Sequence, residues 1–226
     1  MNLERTLVPV AIGLALSASV LAGVLPTSQK DNGWFSGAEA QLQQKLSLKS
    51  SDKAKNVILF VGDGMGVSTL TAARILEGQR QGRPGEENLL SFESFPFSTL
   101  VKTYNTDAQV PDSAGTMTAM MSGLKTDAGV LGVDEDVQRG DCSTVAGNEV
   151  VTALELAEIK GLSTGVVSTA RITHATPAAT YAKSAERNWE DISDMPADAV
   201  QAGCKDIADQ LVRFEQLLEQ RYAGVD

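Results

Sequence analysis

Apolar runs bounded by glycine and polar residues punctuate the chain and set out its elements. Val57-Ile58-Leu59-Phe60-Val61 is a continuous apolar run, the pattern of a strand buried on both faces. Gly62-Asp63-Gly64-Met65-Gly66 follows as a turn, and helical spacing then runs from Val67 to about Gly78. Residues 78–88 read as a loop, and the alternation over Ser98 to Tyr104 predicts a second strand. Ala114, Met117, Met121 and Leu124 recur at helical spacing behind Asp112, a good N-cap. Residues 127–148 are rich in Gly and Asp and read as irregular. A helix is predicted over Glu149 to Lys160, with Val150, Ala153, Leu154 and Ala157 on one face and Gly161 closing it. Ser163 to Ser168 is a third strand. Thr176 is the expected N-cap of the next helix, with Pro177 at its first position. Asp198 to Tyr222 reads as the clearest helix, striped by Ile207, Leu211, Phe214, Leu217, Leu218 and Tyr222.

This alternation predicts an α/β fold with a mostly parallel central sheet flanked by helices. It places Asp63 at the carboxyl end of a strand, where open sheets keep their sites. After the helix the chain stops at Ala223-Gly224-Val225-Asp226, where alternation calls for another strand. The pattern is that of a truncated α/β domain over 54–226.

The polarity pattern ahead of the first strand is different. Leu7 to Leu25 is apolar and uncharged, and small residues crowd its end, so residues 1–25 read as a signal peptide cleaved after Ala22. An uncleaved anchor is the alternative, since the run is long enough to span a bilayer. Val24 stands where a lipoprotein would carry its lipidated cysteine, so the expectation is export to the periplasm or outside the cell, with no stable membrane association after cleavage. Residues 26–53 form a polar N-terminal arm in which Leu42 and Leu46 suggest a short helix. In an exported chain the two cysteines, Cys142 and Cys204, suggest a disulfide; two buried free thiols are the alternative.

Charge narrows the partners. The 226 residues carry a net charge of −10, which disfavours nucleic acid and anionic membrane. An acidic protein that handles an anion needs a local positive site: a metal ion, a helix N-terminus or a placed arginine. Val110-Pro111-Asp112-Ser113-Ala114-Gly115-Thr116 delivers a serine to the start of a helix, among unpaired backbone N–H groups. The small residues Ala114 and Gly115 let another group approach that backbone. The plain alternative is a capped helix with no chemistry.

Three motifs in order resemble the alkaline phosphatase family: Lys55-Asn56-Val57-Ile58-Leu59-Phe60-Val61-Gly62-Asp63-Gly64-Met65-Gly66, then Pro111-Asp112-Ser113-Ala114-Gly115-Thr116, then Thr173-His174-Ala175-Thr176-Pro177-Ala178 with Arg187-Asn188-Trp189. The resemblance implies metal-dependent hydrolysis of small phosphomonoesters through a phosphoserine on Ser113, with zinc on Ser113 and Asp63 and magnesium on Asp63 and Thr176. It implies that Arg187 holds phosphate, that Asp112 orients Arg187, and that His174 acts on the metal through water. It also implies a Cys142–Cys204 disulfide and a homodimer in the full-length form. Taken alone, Asp63 is equally a turn residue, Arg187 a solvated one and Thr176 a cap. The chain departs from the family in lacking the later metal ligands. One histidine cannot supply two zinc sites, so little turnover is expected of this chain by itself. The alternative function is an inert α/β phosphate-binding module or interaction fragment. A sulfatase would need Pro and Arg after its nucleophile, and an acyl hydrolase a Gly-x-Ser-x-Gly elbow. Neither stands at Ser113.

Overall fold

The computed structural model describes residues 33–47 and 54–222. The expected signal peptide and its cleavage point lie outside the described residues. So does the Leu46 side chain.

Eight α-helices occur among the described residues: α1 Gly33–Ser47, α2 Val67–Arg80, α3 Ser113–Ser122, α4 Ala153–Ile159, α5 Ala175–Ala178, α6 Ala197–Gln201, α7 Ile207–Val212 and α8 Phe214–Tyr222. Short 3₁₀ turns lie at Ser91–Ser94, Cys142–Thr144 and Ile192–Asp194. The helix in the N-terminal arm was expected, although Leu42 is exposed on it.

The predicted strands are not seen among the described residues. Residues 57–61, 98–104 and 163–168 take no regular secondary structure: among the described residues no strand forms, only the isolated antiparallel bridges Leu131–Ser184 and Val133–Glu149. A strand exists only through a neighbour that takes up its N–H and C=O groups. Without that ladder the apolar side chains stay in water: Phe60 is 90% exposed, and Leu100 and Val167 are each 99% exposed.

Helix ends show where capping overruled periodicity. The helix expected from Glu149 starts at Ala153, because Thr152 caps it by accepting from the Glu155 backbone while Glu155 returns a bond to the Thr152 N–H. Thr176 is not an N-cap. His174 holds that place, without a side-chain bond, and Thr176 and Pro177 lie inside the first turn, where proline costs no intrahelical bond. The long helix expected over 198–222 is three. Gly203 turns the chain with φ near 83°, Asp206 starts α7 by accepting from the Asp209 N–H, and Arg213 ends it.

The described chain divides into two units. One comprises the residues up to Leu59 together with Thr71–Ser98. Within it Asn88 donates to Glu77 at 2.6 Å and to the Arg74 carbonyl at 3.3 Å, fastening the loop after α2 back onto that helix.

The other unit, Phe60–Leu70 and Thr99–Asp226, carries the candidate site residues. One core packs Ala114 and Met117 of α3 against Leu131, the alanines of α5 and its following turn, Tyr181 and Ile207. A second gathers Val130, Val133, Val137, Trp189, Met195 and Ala199, with Cys142 and Cys204 against it. Those cysteines form a disulfide with Cα atoms 5.7 Å apart. Ala114 of α3 and Ala175 and Ala178 of α5 share the first core, which brings the two helices together.

Candidate functional site

Ser113 is the first residue of α3, and Asp112 is its N-cap in extended conformation. The Asp112 carboxylate is saturated by donors from four parts of the unit. Oδ1 accepts from the Gly115 N–H at 3.0 Å and from Asn105 Nδ2 at 2.9 Å. Oδ2 accepts from the Gly129 N–H at 3.0 Å and from Arg187 at 2.9 Å. Burial works against this charge, but the bonds from Gly115, Arg187 and Asn105 outweigh it and hold the carboxyl below its ordinary value. The charge therefore persists at any moderate pH and fixes the guanidinium 75 positions away in sequence.

Close approach explains Gly115. A Cβ there would lie 2.9 Å from both Asn105 Oδ1 and the Asp127 carbonyl. The buried Asn105 was not singled out in the sequence; its position at the end of the predicted second strand was the available signal.

Arg187 is held twice more. Its backbone N–H donates to the Gly129 carbonyl at 2.8 Å, and its second terminal nitrogen lies 3.5 Å from His174 Nε2. A guanidinium can only donate, so a hydrogen bond here needs Nε2 as its acceptor; Nδ1 is buried without a partner. His174 thus presents one nitrogen, already turned toward a cation.

Asp63, on the exposed turn after the first apolar stretch, accepts from the Thr176 hydroxyl at 2.7 Å. Asp63 and Thr176 bring two hard oxygens together, a set that suits magnesium, which binds through one or two protein oxygens and keeps water on its other positions. Zinc is a different matter. Among the described residues no three His, Cys, Asp or Glu side chains converge to hold a metal, so the donors present do not make a zinc site.

A further cluster borders His174. Glu190 takes both forks of Arg171, at 2.8 and 2.6 Å, and the Thr173 hydroxyl at 2.6 Å. The Arg171 bond, opposed by burial and aided by Thr173, brings the Glu190 pKa down to about 2. The Arg171–Glu190 ion pair is thereby in place beside Thr173 before any ligand arrives.

The structure thus joins Asp112 with Arg187, sets Arg187 beside His174, and pairs Asp63 with Thr176. Ser113 lies next to Asp112 at a helix start. Such an arrangement offers an anion a guanidinium beside the positive end of a helix.

A family model described as alkaline phosphatase matches residues 54–218. The chain is 52% identical over 194 residues to the tissue-nonspecific alkaline phosphatase isozyme of Gallus gallus, covering 84% of this chain and 37% of that protein. It is 53% identical over 186 residues to an alkaline phosphatase of Gadus morhua, covering 81% of this chain and 39% of that protein. The chain thus spans about two fifths of the length of these curated relatives. A solved structure of a cold-active alkaline phosphatase from a psychrophile, Shewanella sp., is 32% identical, with a TM-score of 0.47, covering 60% of this chain and 32% of that one. The family match runs through all three motifs and the residues they bring together, and the chain belongs to the alkaline phosphatase family.

Proposed function

We propose that this chain supplies the nucleophile and phosphate-holding side of a phosphomonoesterase site. Ser113 Oγ forms a bond to phosphorus as the bond to the departing alcohol breaks, and water then releases inorganic phosphate from the phosphoserine. Arg187 holds two non-bridging oxygens in its planar fork, Asp112 fixes its angle, and the α3 N-terminus adds N–H donors to the developing charge. Asp63 and Thr176 would hold magnesium, whose positive charge favours the ionised oxygens of the reaction. No step is assigned to zinc, although the resemblance brings zinc into the proposal for the whole protein. The observation that carries this reading is the Asp112–Arg187 bond at 2.9 Å, which aims an arginine at the residue before a helix-start serine.

The wider proposal follows the relatives. In the whole protein the three apolar stretches pair into the parallel sheet, two copies form a dimer, and the protein acts on small phosphomonoesters after export. The disulfide supports an oxidising compartment. Among the described residues no helix is long and apolar enough to cross a membrane.

The test is phosphate affinity. A ³¹P titration of the chain with inorganic phosphate, zinc and magnesium should show saturable binding that Arg187→Ala weakens by about tenfold or more, the usual cost of losing a charged partner to an anion. Equal affinity in Arg187→Ala would refute the reading.

A further inference from the structure

Arg187 lies on an irregular segment between two residues of the second core, Ala185 and Trp189. Those two side chains anchor it in the core, and a series of polar ties fixes the backbone ahead of them. The Thr180 carbonyl accepts from the Thr152 hydroxyl at 2.7 Å. Gln210 clamps Lys183 from both sides, accepting from its N–H and donating to its carbonyl, each at 2.9 Å. Ser184 exchanges two 2.9 Å bonds with Leu131, and Arg187 bonds Gly129. Gly129 in turn donates to Asp112 Oδ2, the oxygen that Arg187 holds.

The centre of this segment is an ion pair with no access to water. Lys183 Nζ lies 2.7 Å from Glu155 Oε2, with side chains 1% and 0% exposed. Lys183 also donates to the Val150 carbonyl at 2.6 Å. Glu155 accepts from the Thr152 N–H at 2.8 Å and from Arg221 of α8 at 3.3 Å. Burying two charges is costly and rarely the cheapest route to stability; its best-attested use is to fix register. Here the register fixed is that of residues 180–187 against α4 and α8. An apolar pair would fill the space but would let this strap slide.

We infer that the buried Lys183–Glu155 pair is a positioning device that holds Arg187 in register with Asp112 for phosphate. The inference rests on the proposed role of Arg187 and goes beyond it. Lys183 and Glu155 touch no substrate; they act through the backbone that carries Arg187.

A double-mutant cycle tests it. The Kd for inorganic phosphate, with zinc and magnesium, is measured by ³¹P titration for the chain and for Lys183→Met, Lys183→Arg, Arg187→Ala and the Lys183→Met/Arg187→Ala pair. Near-UV circular dichroism sets a temperature at which each is folded. Lys183→Met should raise Kd by about tenfold, a typical coupling between separated groups, and Lys183→Arg, which keeps the charge, should restore most of the loss. In the Arg187→Ala background Lys183→Met should add nothing, because its effect passes through Arg187. An unchanged Kd in Lys183→Met, or an equal loss with and without Arg187, would overturn the inference while leaving the phosphate site in place. Absence of phosphate binding by the unmodified chain would overturn the phosphate reading itself, and this inference with it. Where Lys183→Met fails to fold, Lys183→Met/Glu155→Gln removes the pair without stranding the carboxylate and should raise Kd by the same amount, an unchanged Kd again overturning the inference.

Discussion

Asp112→Asn isolates the charge on which the site is built, because it changes neither shape nor volume. All four partners of Asp112 are donors: the Gly115 and Gly129 N–H groups, Asn105 Nδ2 and Arg187. An asparagine oxygen can keep two of them. Its NH₂ group must then face the other two donor to donor, whichever way the amide is turned. Two bonds to a charged acceptor are lost, each contributing about 1.5–3 kcal/mol. The Asp112 side chain is 22% exposed, so water recovers part of that, and a net loss of about 3 kcal/mol is expected. With a urea slope of about 2 kcal/mol/M for a domain of this class, the midpoint should fall by roughly 1.5 M. Equilibrium urea unfolding followed by far-UV circular dichroism measures it directly. A midpoint equal to that of the unmodified chain would show that the four contacts are incidental to the fold, and the saturated carboxylate would lose its place as organiser of the site.

Gly115→Ala should destabilise by about 1–3 kcal/mol through overpacking, since its Cβ would meet the Asp127 carbonyl, a backbone atom that cannot swing away; a wild-type urea midpoint would contradict the observed approach. Cys142→Ser/Cys204→Ser opens a loop with sequence separation 62 and should cost about 4 kcal/mol in the chain-entropy model, read from the same unfolding curves, while the unmodified chain should show no titratable thiol under non-reducing conditions. In acid, Glu190 has a folded pKa of about 2 against about 4.3 unfolded. Its contribution is therefore present above pH 4.3 and lost as pH falls toward 2, and Asp112, also lowered, acts with the same sign. Glu190→Gln should flatten the fall of the thermal midpoint across that window; an unchanged slope would remove Glu190 as a source of acid sensitivity.

The sequence was most informative where one residue type can do one local job. Asp112 as N-cap, the helix that begins at Ser113 and Gly161 closing α4 all rest on contacts within a few residues, and all three are present. The Cys142–Cys204 pairing followed from a count of two. What escaped depends on partners far along the chain. The apolar stretches 57–61, 98–104 and 163–168 have the composition of strands, but composition does not provide a ladder. Periodicity ran α6, α7 and α8 together because it cannot see Gly203 or the Asp206 cap outweighing a continuous stripe. Glu155 and Lys183 were not singled out, since nothing local announces that each will meet the other across 28 positions. Asn105 and Glu190 were missed for the same reason, being defined by what reaches them from elsewhere.

The central claim is that Ser113 receives the phosphoryl group. The most direct measurement is peptide mapping by tandem mass spectrometry of the native protein, purified from its source and quenched in acid after exposure to p-nitrophenyl phosphate. The account predicts a single acid-stable phosphate on the peptide containing Asp112-Ser113-Ala114, assigned to Ser113 and absent from Ser113→Ala. Phosphate on another residue, or undiminished labelling in Ser113→Ala, would contradict it.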